Sequence, residues 1–388
     1  MSTRLFFLLV ALLPTQLTYY WFLPFSYVYG LPIDYLALQI SLTDGVIFLL
    51  LICQLRPLFL WINRHPKGFL CFVALLMLFV LSSSSRLVSV LYAAKILELS
   101  FVGWYTLKNK KRITPGIGKA LLVPLFVSAV LAVTQFSLGK SVGWLFYYLG
   151  ERTFAYSTPG IAHIALWGNH LRPYATFPHP NVLAAFAVFV VLVNFQYSTR
   201  RVWYISHVIA FPVLFLTFSK GAIIGLTAAM ISMYLQKVSA RFVIGVLLLV
   251  SLLSPIAVVP TLLHYSFPSS IQERLILMAY SGQMISTHPY LGVGLQGFIP
   301  ALPQAKAQAS WVFPFSWWLQ PVHNIYLLTV SQMGLLGTAI VLASIMRIKK
   351  KASPLLVFFL VAGLFDHYFL TLQQGQLMTA VIIALSLF

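Results

Sequence analysis

Arginine, lysine and histidine are the residue types here that could carry out chemistry, and they cluster in two stretches. The first holds His163, His170, Arg172 and His179, the last three around Leu171-Arg172-Pro173-Tyr174-Ala175-Thr176-Phe177-Pro178-His179-Pro180-Asn181. The second holds Arg274, His288 and His323. Guanidinium groups offer planar forks that match phosphate oxygens. A histidine beside them can take a proton from a hydroxyl near neutral pH. His323 begins an apolar run in Pro321-Val322-His323-Asn324, and Gly334-Leu335-Leu336-Gly337 follows within it. The glycines would let helices approach closely. Each such residue also has a plain structural reading: arginines contacting lipid headgroups, and an interfacial histidine bonded to backbone. Other chemistries lack their signatures. The sequence has no phosphate-binding glycine-rich loop, no metal-ligand spacing and no paired acids for a divalent ion, so no metal and no cofactor are expected.

The elements that must position these groups follow from composition. Of 388 residues, 60% are hydrophobic and 8% charged, and the mean hydropathy is +0.91. A soluble fold carries about 25% charge, so these proportions specify a polytopic membrane protein. The formal charge is +19, with 25 Lys and Arg against six acids: Asp34, Asp44, Glu98, Glu151, Glu273 and Asp366. The basic residues form short clusters between apolar runs, the pattern that sets orientation in a bilayer, and no nucleic acid is implied. Cys53 and Cys71 lie in apolar stretches and read as core fillers.

Apolar runs predict an all-α fold of about twelve spans forming a single transmembrane domain over 1–388. The expected limits are 5–23, 35–54, 68–84, 87–106, 117–136, 180–196, 202–217, 220–236, 241–262, 323–346, 354–371 and 374–388, the last only 15 residues long. The start, Met1 to Leu13, is similar to a signal sequence; with Pro14, Tyr19, Tyr20 and Trp21 after it, it is expected to be a retained first span. Seventeen basic residues fall in one set of alternating loops and seven in the other, with Lys95 inside a span. Both termini are therefore expected in the cytoplasm. Two long outer loops result, 137–179 and 263–322, and they carry Trp144, Trp167, Trp311, Trp317 and Trp318. Within the second, apolar residues at 271, 275, 278 and 285 predict an amphipathic helix on the outer surface. No internal repeat is visible, which gives an inverted-repeat transporter no support.

These residues together resemble the O-antigen ligase and polymerase superfamily of bacterial membrane enzymes that use lipid-linked glycans. His323-Asn324, nine residues, then Gly334 and Gly337 fits the ligase pattern. Three further stretches resemble the superfamily: Thr176 to Asn181 followed by Leu183 and Ala184; Thr217-Phe218-Ser219-Lys220-Gly221-Ala222; and Arg274 followed by His288-Pro289-Tyr290-Leu291-Gly292-Val293-Gly294. The matches run over roughly residues 170–340. The superfamily usually has Arg where this chain has Lys220, which keeps the charge and loses the fork.

The resemblance implies a multi-pass enzyme of the bacterial cytoplasmic membrane. It would transfer a glycan from undecaprenyl pyrophosphate to a hydroxyl of a lipid or protein acceptor, on the outer face, without metal and with inversion. Arg172, Lys220 and Arg274 would hold the pyrophosphate, and His323 would be catalytic. His179, Asn181, His288, Asn324 and Asp366 would support them. Asp366-His367 can equally be a local polar pair between helices, and Lys95 with Glu98, three apart on one helix, reads as a neutralised structural pair. Asp44 reads as a buried polar contact. Ligase and polymerase both remain open, with the His323 pattern favouring ligase. Two rivals stand beside them. One is a glycosyltransferase of another kind using Asp34 as its base, and the other is a flippase for the same lipid-linked glycan.

Overall fold

The computed structural model describes residues 1–164, 170–235, 239–265, 267, 269–309, 319–346 and 353–387. Trp167, Lys237, Trp311, Trp317, Trp318, Arg347, Lys349, Lys350 and Lys351 lie outside the described residues. The chain is mostly helical. Before the first long loop come α1 (Ser2–Ala11), α2 (Leu42–Arg64), α3 (Pro66–Leu81), α4 (Arg86–Lys108) and α5 (Lys110–Leu138). The middle of the chain forms α6 (Pro180–Tyr197), α7 (Arg200–Thr217), α8 (Lys220–Leu235) and α9 (Ala240–His264). The remainder forms α10 (Ser269–Thr287), α11 (Phe298–Gln308), α12 (Ile325–Met346), α13 (Pro354–Ala362), α14 (Tyr368–Thr371) and α15 (Gln373–Ser386). Among the described residues, six helices are long and apolar enough to cross a membrane: α2, α4, α5, α6, α9 and α12. Three shorter ones, α1, α3 and α8, are also apolar. This is a membrane protein.

Burial ranks the helices. The apolar window of α6 is 78% buried and that of α2 only 17%, so α6 is the central post and α2 lies at the periphery. From Val182 to Val193 every residue of α6 is buried, as expected of a helix apolar all round. Small residues bring α8 against α13 and the turn after it: a Cβ on Gly225 would lie 2.9 Å from Phe358 of α13, and one on Gly221 3.0 Å from Phe365 of the turn.

Several expected limits shift. The first run does not continue to 23. Helix α1 ends at Ala11, ahead of Pro14, and the β-forming stretch Thr18–Trp21 becomes strand β1. Two short strands, β2 (Tyr27–Val28) and β3 (Leu31–Pro32), pair with each other, and β4 (Leu38–Ser41) closes back on β1 in antiparallel register. The second helix therefore starts at Leu42, where Ser41 and Asp44 form a capping box. The eleventh run breaks after Ala362, and the turn through Gly363 to His367 separates α13 from α14. The first long loop carries β5 (His163–Ile164) paired with β6 (His170–Leu171), and the second contains α10 and α11.

The amphipathic helix exists as α10, but its buried face differs from the expected stripe. Ile276, Leu277, Tyr280 and Met284 are the core residues, and Ile271 is exposed. The helix packs against α9, α11 and α12 rather than lying on an open surface, so its apolar face is set by three neighbours.

Helix α12 is broken at Gly334, whose φ of 61° and ψ of −169° are non-helical. The 289–294 loop docks into this break: Leu335 N–H donates to Pro289 O (2.8 Å) and Leu336 N–H to Tyr290 O (3.1 Å). In return, Val293 N–H donates to Ser331 O (2.8 Å) and Gly294 N–H to Gln332 O (3.0 Å). A Cβ at Gly334 would lie 2.2 Å from Tyr290 O, so only glycine fits. Gly337 does allow a close helix approach, with Phe79 of α3 lying 2.8 Å from where its Cβ would be.

Candidate active site

A polar cavity of about 1750 Å³ is lined by the strands at the start of the chain, the two long loops, the first turn of α8 and the turn between α13 and α15. Arg172, Lys220 and Arg274 all line it, together with His179, Asn181, His323 and Asp366. Residues from five separate parts of the chain thus meet at one place.

The cations are held in different ways. Arg172 follows β6, and its Nε donates to Thr217 O (2.6 Å) while an Nη donates to Asn181 Oδ1 (2.8 Å). Burial, with Arg274 close by, lowers it to about 10, so it stays protonated at neutral pH. Arg274 sits in the second turn of α10, where Nη1 donates to Phe365 O at 3.4 Å. Lys220 is exposed at the start of α8, just after Phe218, whose φ of 48° turns the chain sharply. Arg152 is a further cation lining the cavity that sequence reasoning did not single out; it reaches Pro178 O at 3.4 Å.

The acid and histidines form a chain of contacts. Asn181 Nδ2 donates to Asp366 Oδ2 (2.8 Å), which ties the Arg172 side to the carboxylate. Asp366 Oδ1 accepts from the backbone N–H of His367 (2.8 Å). The His367 ring stands 5.0 Å from that of His323 and 5.6 Å, edge-on, from Tyr35. His367 Nδ1 is paired with Thr371 Oγ1 at 2.6 Å. His323 Nδ1 is buried with no hydrogen-bond partner among the described residues. His179 Nδ1 accepts from Asn181 N–H (3.1 Å), so a neutral His179 carries its proton on Nε2.

Burial pushes His323 down to about 3 and His179 and His367 to about 4, in each case against the pull of Asp366 in the other direction. All three are neutral imidazoles at neutral pH. Burial alone would raise Asp366, but His323, His367, His179 and the Asn181 amide outweigh it and hold the carboxyl well below the usual carboxylate range. The site therefore presents neutral bases, an ionised acid and several fixed cations.

Two expected supporting residues have other positions. His288 is exposed, paired with Thr287 Oγ1 at 3.0 Å, and does not line the cavity. Asn324 lies beneath it: Oδ1 accepts from Tyr326 N–H (2.9 Å) and Leu327 N–H (3.0 Å), and Nδ2 donates to Ser251 Oγ of α9 (3.0 Å). It caps α12 and ties that helix to α9. The sequence shows no metal-ligand spacing, yet the fold brings His323, Asp366 and His367 together, with one ligand atom of each within 4.8 Å of the others. Those atoms can face an ion. However, both Asp366 oxygens and His367 Nδ1 already have protein partners, and the neighbouring arginines oppose a further cation.

Tyr35, Gln39 and Thr371 line the cavity without having been singled out, and Asp34, Gln373 and Gln374 line it too. No spacing could have linked the 34–39 segment to 366–374. The connection exists only because β4 and α2 fold beside α15, where Gln373 Nε2 donates to Thr43 Oγ1 (3.0 Å) and Asp44 Oδ1 (2.6 Å). His163 also lines the cavity, whereas His170 stacks on Phe136 at 5.1 Å.

Residues 205–342 match a family model described as O-antigen ligase. The matched stretch contains Lys220, Arg274, His288, His323 and the break in α12 at Gly334; Arg172, His179, Asn181 and Asp366 lie outside it. No curated protein matches the chain.

Proposed function

We propose, from the match of residues 205–342 to the O-antigen ligase family model, that the cavity transfers a glycan from a polyprenyl diphosphate to an acceptor hydroxyl. The observation that carries this reading is the joining of two kinds of group in one cavity. Arg172, Lys220 and Arg274 surround it, and His323 with Asp366 stands among them.

The steps follow from these groups. The diphosphate is a dianion or more, and the three cations supply charge and hydrogen bonds without any metal. Burial is the main cause of His323's low basicity and Arg274 a smaller one, and the arriving diphosphate offsets that smaller part by neutralising Arg274. The acceptor oxygen attacks the anomeric carbon as the carbon–oxygen bond to phosphate breaks. The electron pair leaves on the diphosphate, where the cations stabilise it, and the hydroxyl proton passes to His323. Asp366 stabilises the resulting imidazolium. A single displacement inverts the anomeric centre. Asn181 holds Arg172 and Asp366 in register through one side chain, so donor binding and proton transfer share a support.

His323→Ala is expected to reduce transfer by at least ~10²-fold, the lower range for losing a general base, while leaving protein level and donor binding near those of the parent chain. Full transfer by this variant would end the assignment. A second reading has its own observation: Asp34 lines the same cavity. Should Asp34→Asn abolish transfer and His323→Ala spare it, the base is Asp34 and the histidine is structural.

A further inference from the structure

His367 is a buried base in the polar cavity that the transfer steps leave unused. It is 3% exposed, lies in the turn between α13 and α14, and lines the cavity beside His323. The two rings stand 5.0 Å apart at 66°. One ring nitrogen or carboxylate oxygen from each of His323, Asp366 and His367 lies within 4.8 Å of the others. Contacts of this kind shorten when substrate is bound. Tyr35, edge-on at 5.6 Å, and the 2.6 Å bond to Thr371 hold the His367 ring in place.

The Thr371 bond also sets the tautomer. Thr371 Oγ1 lies 3.1 Å from His367 O and donates its one proton there. Toward the ring it can then only accept, so Nδ1 carries the proton of neutral His367 and Nε2 keeps a lone pair. His367 thus offers an acceptor to a neighbouring donor. The groups around His323 offer no better one. His179 has the opposite tautomer, because its Nδ1 accepts from Asn181 N–H. Both Asp366 oxygens already accept, from Asn181 Nδ2 and from His367 N–H. That carboxyl is also held well below the usual range, so it steadies a nearby charge without taking the proton. An imidazolium donates from both nitrogens, and His323 Nδ1 has no acceptor among the described residues. Burial lowers His323 and His367 alike, to about 3 and about 4, so a proton shared between the two rings favours neither strongly.

We propose that His367 is a positioning residue for the base: its Nε2 accepts a hydrogen bond from His323 once His323 has taken the acceptor's hydroxyl proton. This assignment rests on the transfer reading of the cavity and adds to it a second imidazole, oriented by Thr371. The rings share the proton as N–H···N while the bond from the anomeric carbon to phosphate breaks. The proton then passes to an oxygen of the departing diphosphate, a stronger base that titrates at about 6, and both rings return to neutral.

The first test reads the tautomer and needs no activity. The full chain is placed in nanodiscs with its histidine nitrogens isotope-labelled, and the His367 signals are assigned by NMR from their loss in His367→Asn. Nδ1 is expected to be protonated and Nε2 bare at neutral pH. Thr371→Val keeps the side chain's shape but removes its hydroxyl, and should release the ring to the Nε2–H form. Nε2–H in the parent chain would overturn the proposal. The second test is steady-state transfer. His367→Asn and Thr371→Val are each expected to lower kcat about tenfold, below the loss for a direct general base. Donor and acceptor KM should stay within about twofold, as for an interaction made only in the transition state. Thr371→Ser, which restores the hydroxyl, should recover the parental kcat. Parental kcat in folded His367→Asn or Thr371→Val, or a Thr371→Ser variant as impaired as Thr371→Val, would overturn the proposal. A parent chain that transfers no glycan would instead defeat the transfer reading, and the tautomer would still decide whether His367 can accept from His323.

Discussion

In the transfer reading the site keeps its imidazoles neutral among fixed charges, and this has a consequence for stability. His179, His323 and His367 are held at about 4, 3 and 4 in the folded protein, against 6.5 when unperturbed. As pH falls from about 6.5 to about 4, the unfolded chain takes up protons that the folded chain refuses. Stability therefore falls across that window, by about 1.4 kcal/mol per pH unit for each histidine. Asp366 acts in the opposite sense, but its carboxyl is held so low that its contribution is lost only below the window. The thermal midpoint in detergent should drop steeply between pH 6.5 and 4, and His367→Asn should flatten the slope. A midpoint independent of pH there would contradict the burial of these rings. Lys220 supplies a second prediction at this scale. It lines the cavity with its charge but without a planar fork. Lys220→Arg should preserve transfer and lower the donor KM severalfold, whereas Lys220→Ala should raise KM about tenfold. An unchanged KM in the alanine variant would remove Lys220 from donor binding.

At the level of elements, the joint between α12 and the 289–294 loop sets where His323 sits. The loop's carbonyls and amides occupy the gap that Gly334 opens, in place of the bonds a continuous helix would make with itself. Gly334→Ala places a methyl group on Tyr290 O, and Gly292, with φ of 67°, is equally confined by Ser331 O at 2.5 Å. We expect Gly334→Ala to lower the thermal midpoint sharply and to reduce transfer in proportion to folded protein; a variant of parental stability would show that the break is dispensable. The sequence spacing reveals that these glycines matter but suggests helix packing, because a positive φ leaves no mark that distinguishes it from a close approach. Most helix limits were legible as apolar runs with polar ends. The exceptions were the segment from Leu12 to Ser41 and the turn from Gly363 to His367. There, aromatic and aliphatic residues line strands and a cavity wall, and hydropathy alone reads both as membrane. His323, Arg172, Arg274, Asn181 and Asp366 stood out by residue type, whereas the hydrogen bonds through Asn181 and the place of Tyr35 beside His367 did not. Those contacts join positions up to 185 residues apart by hydrogen bond, and periodicity carries no information at that range.

For the whole molecule, the transfer reading requires that the polar cavity open on the side of the membrane away from the basic loops. The family match covers only 205–342, yet the cavity is completed by residues from 16 to 39 and from 365 to 374. The matched domain therefore supplies Lys220, Arg274 and His323, while flanking segments supply Arg172, Asp366 and the wall that the acceptor would meet. Orientation then decides function for all of them at once. The clusters at Arg56, Arg64 and Lys67 and at Lys108 to Arg112 predict cytoplasmic loops. Tyr147 lines the cavity, and the same reading expects it on the opposite side. Single cysteines at Tyr147 and at Arg64, in a chain with Cys53 and Cys71 replaced by serine, separate the alternatives. A membrane-impermeant maleimide should label Tyr147→Cys in intact cells whose outer barrier has been opened, and should label Arg64→Cys only after the cytoplasmic membrane is permeabilised. The reverse pattern would put His323 and the arginines on the cytoplasmic side. Transfer to an acceptor on the outer face would then be impossible at this site, however well its residues are arranged.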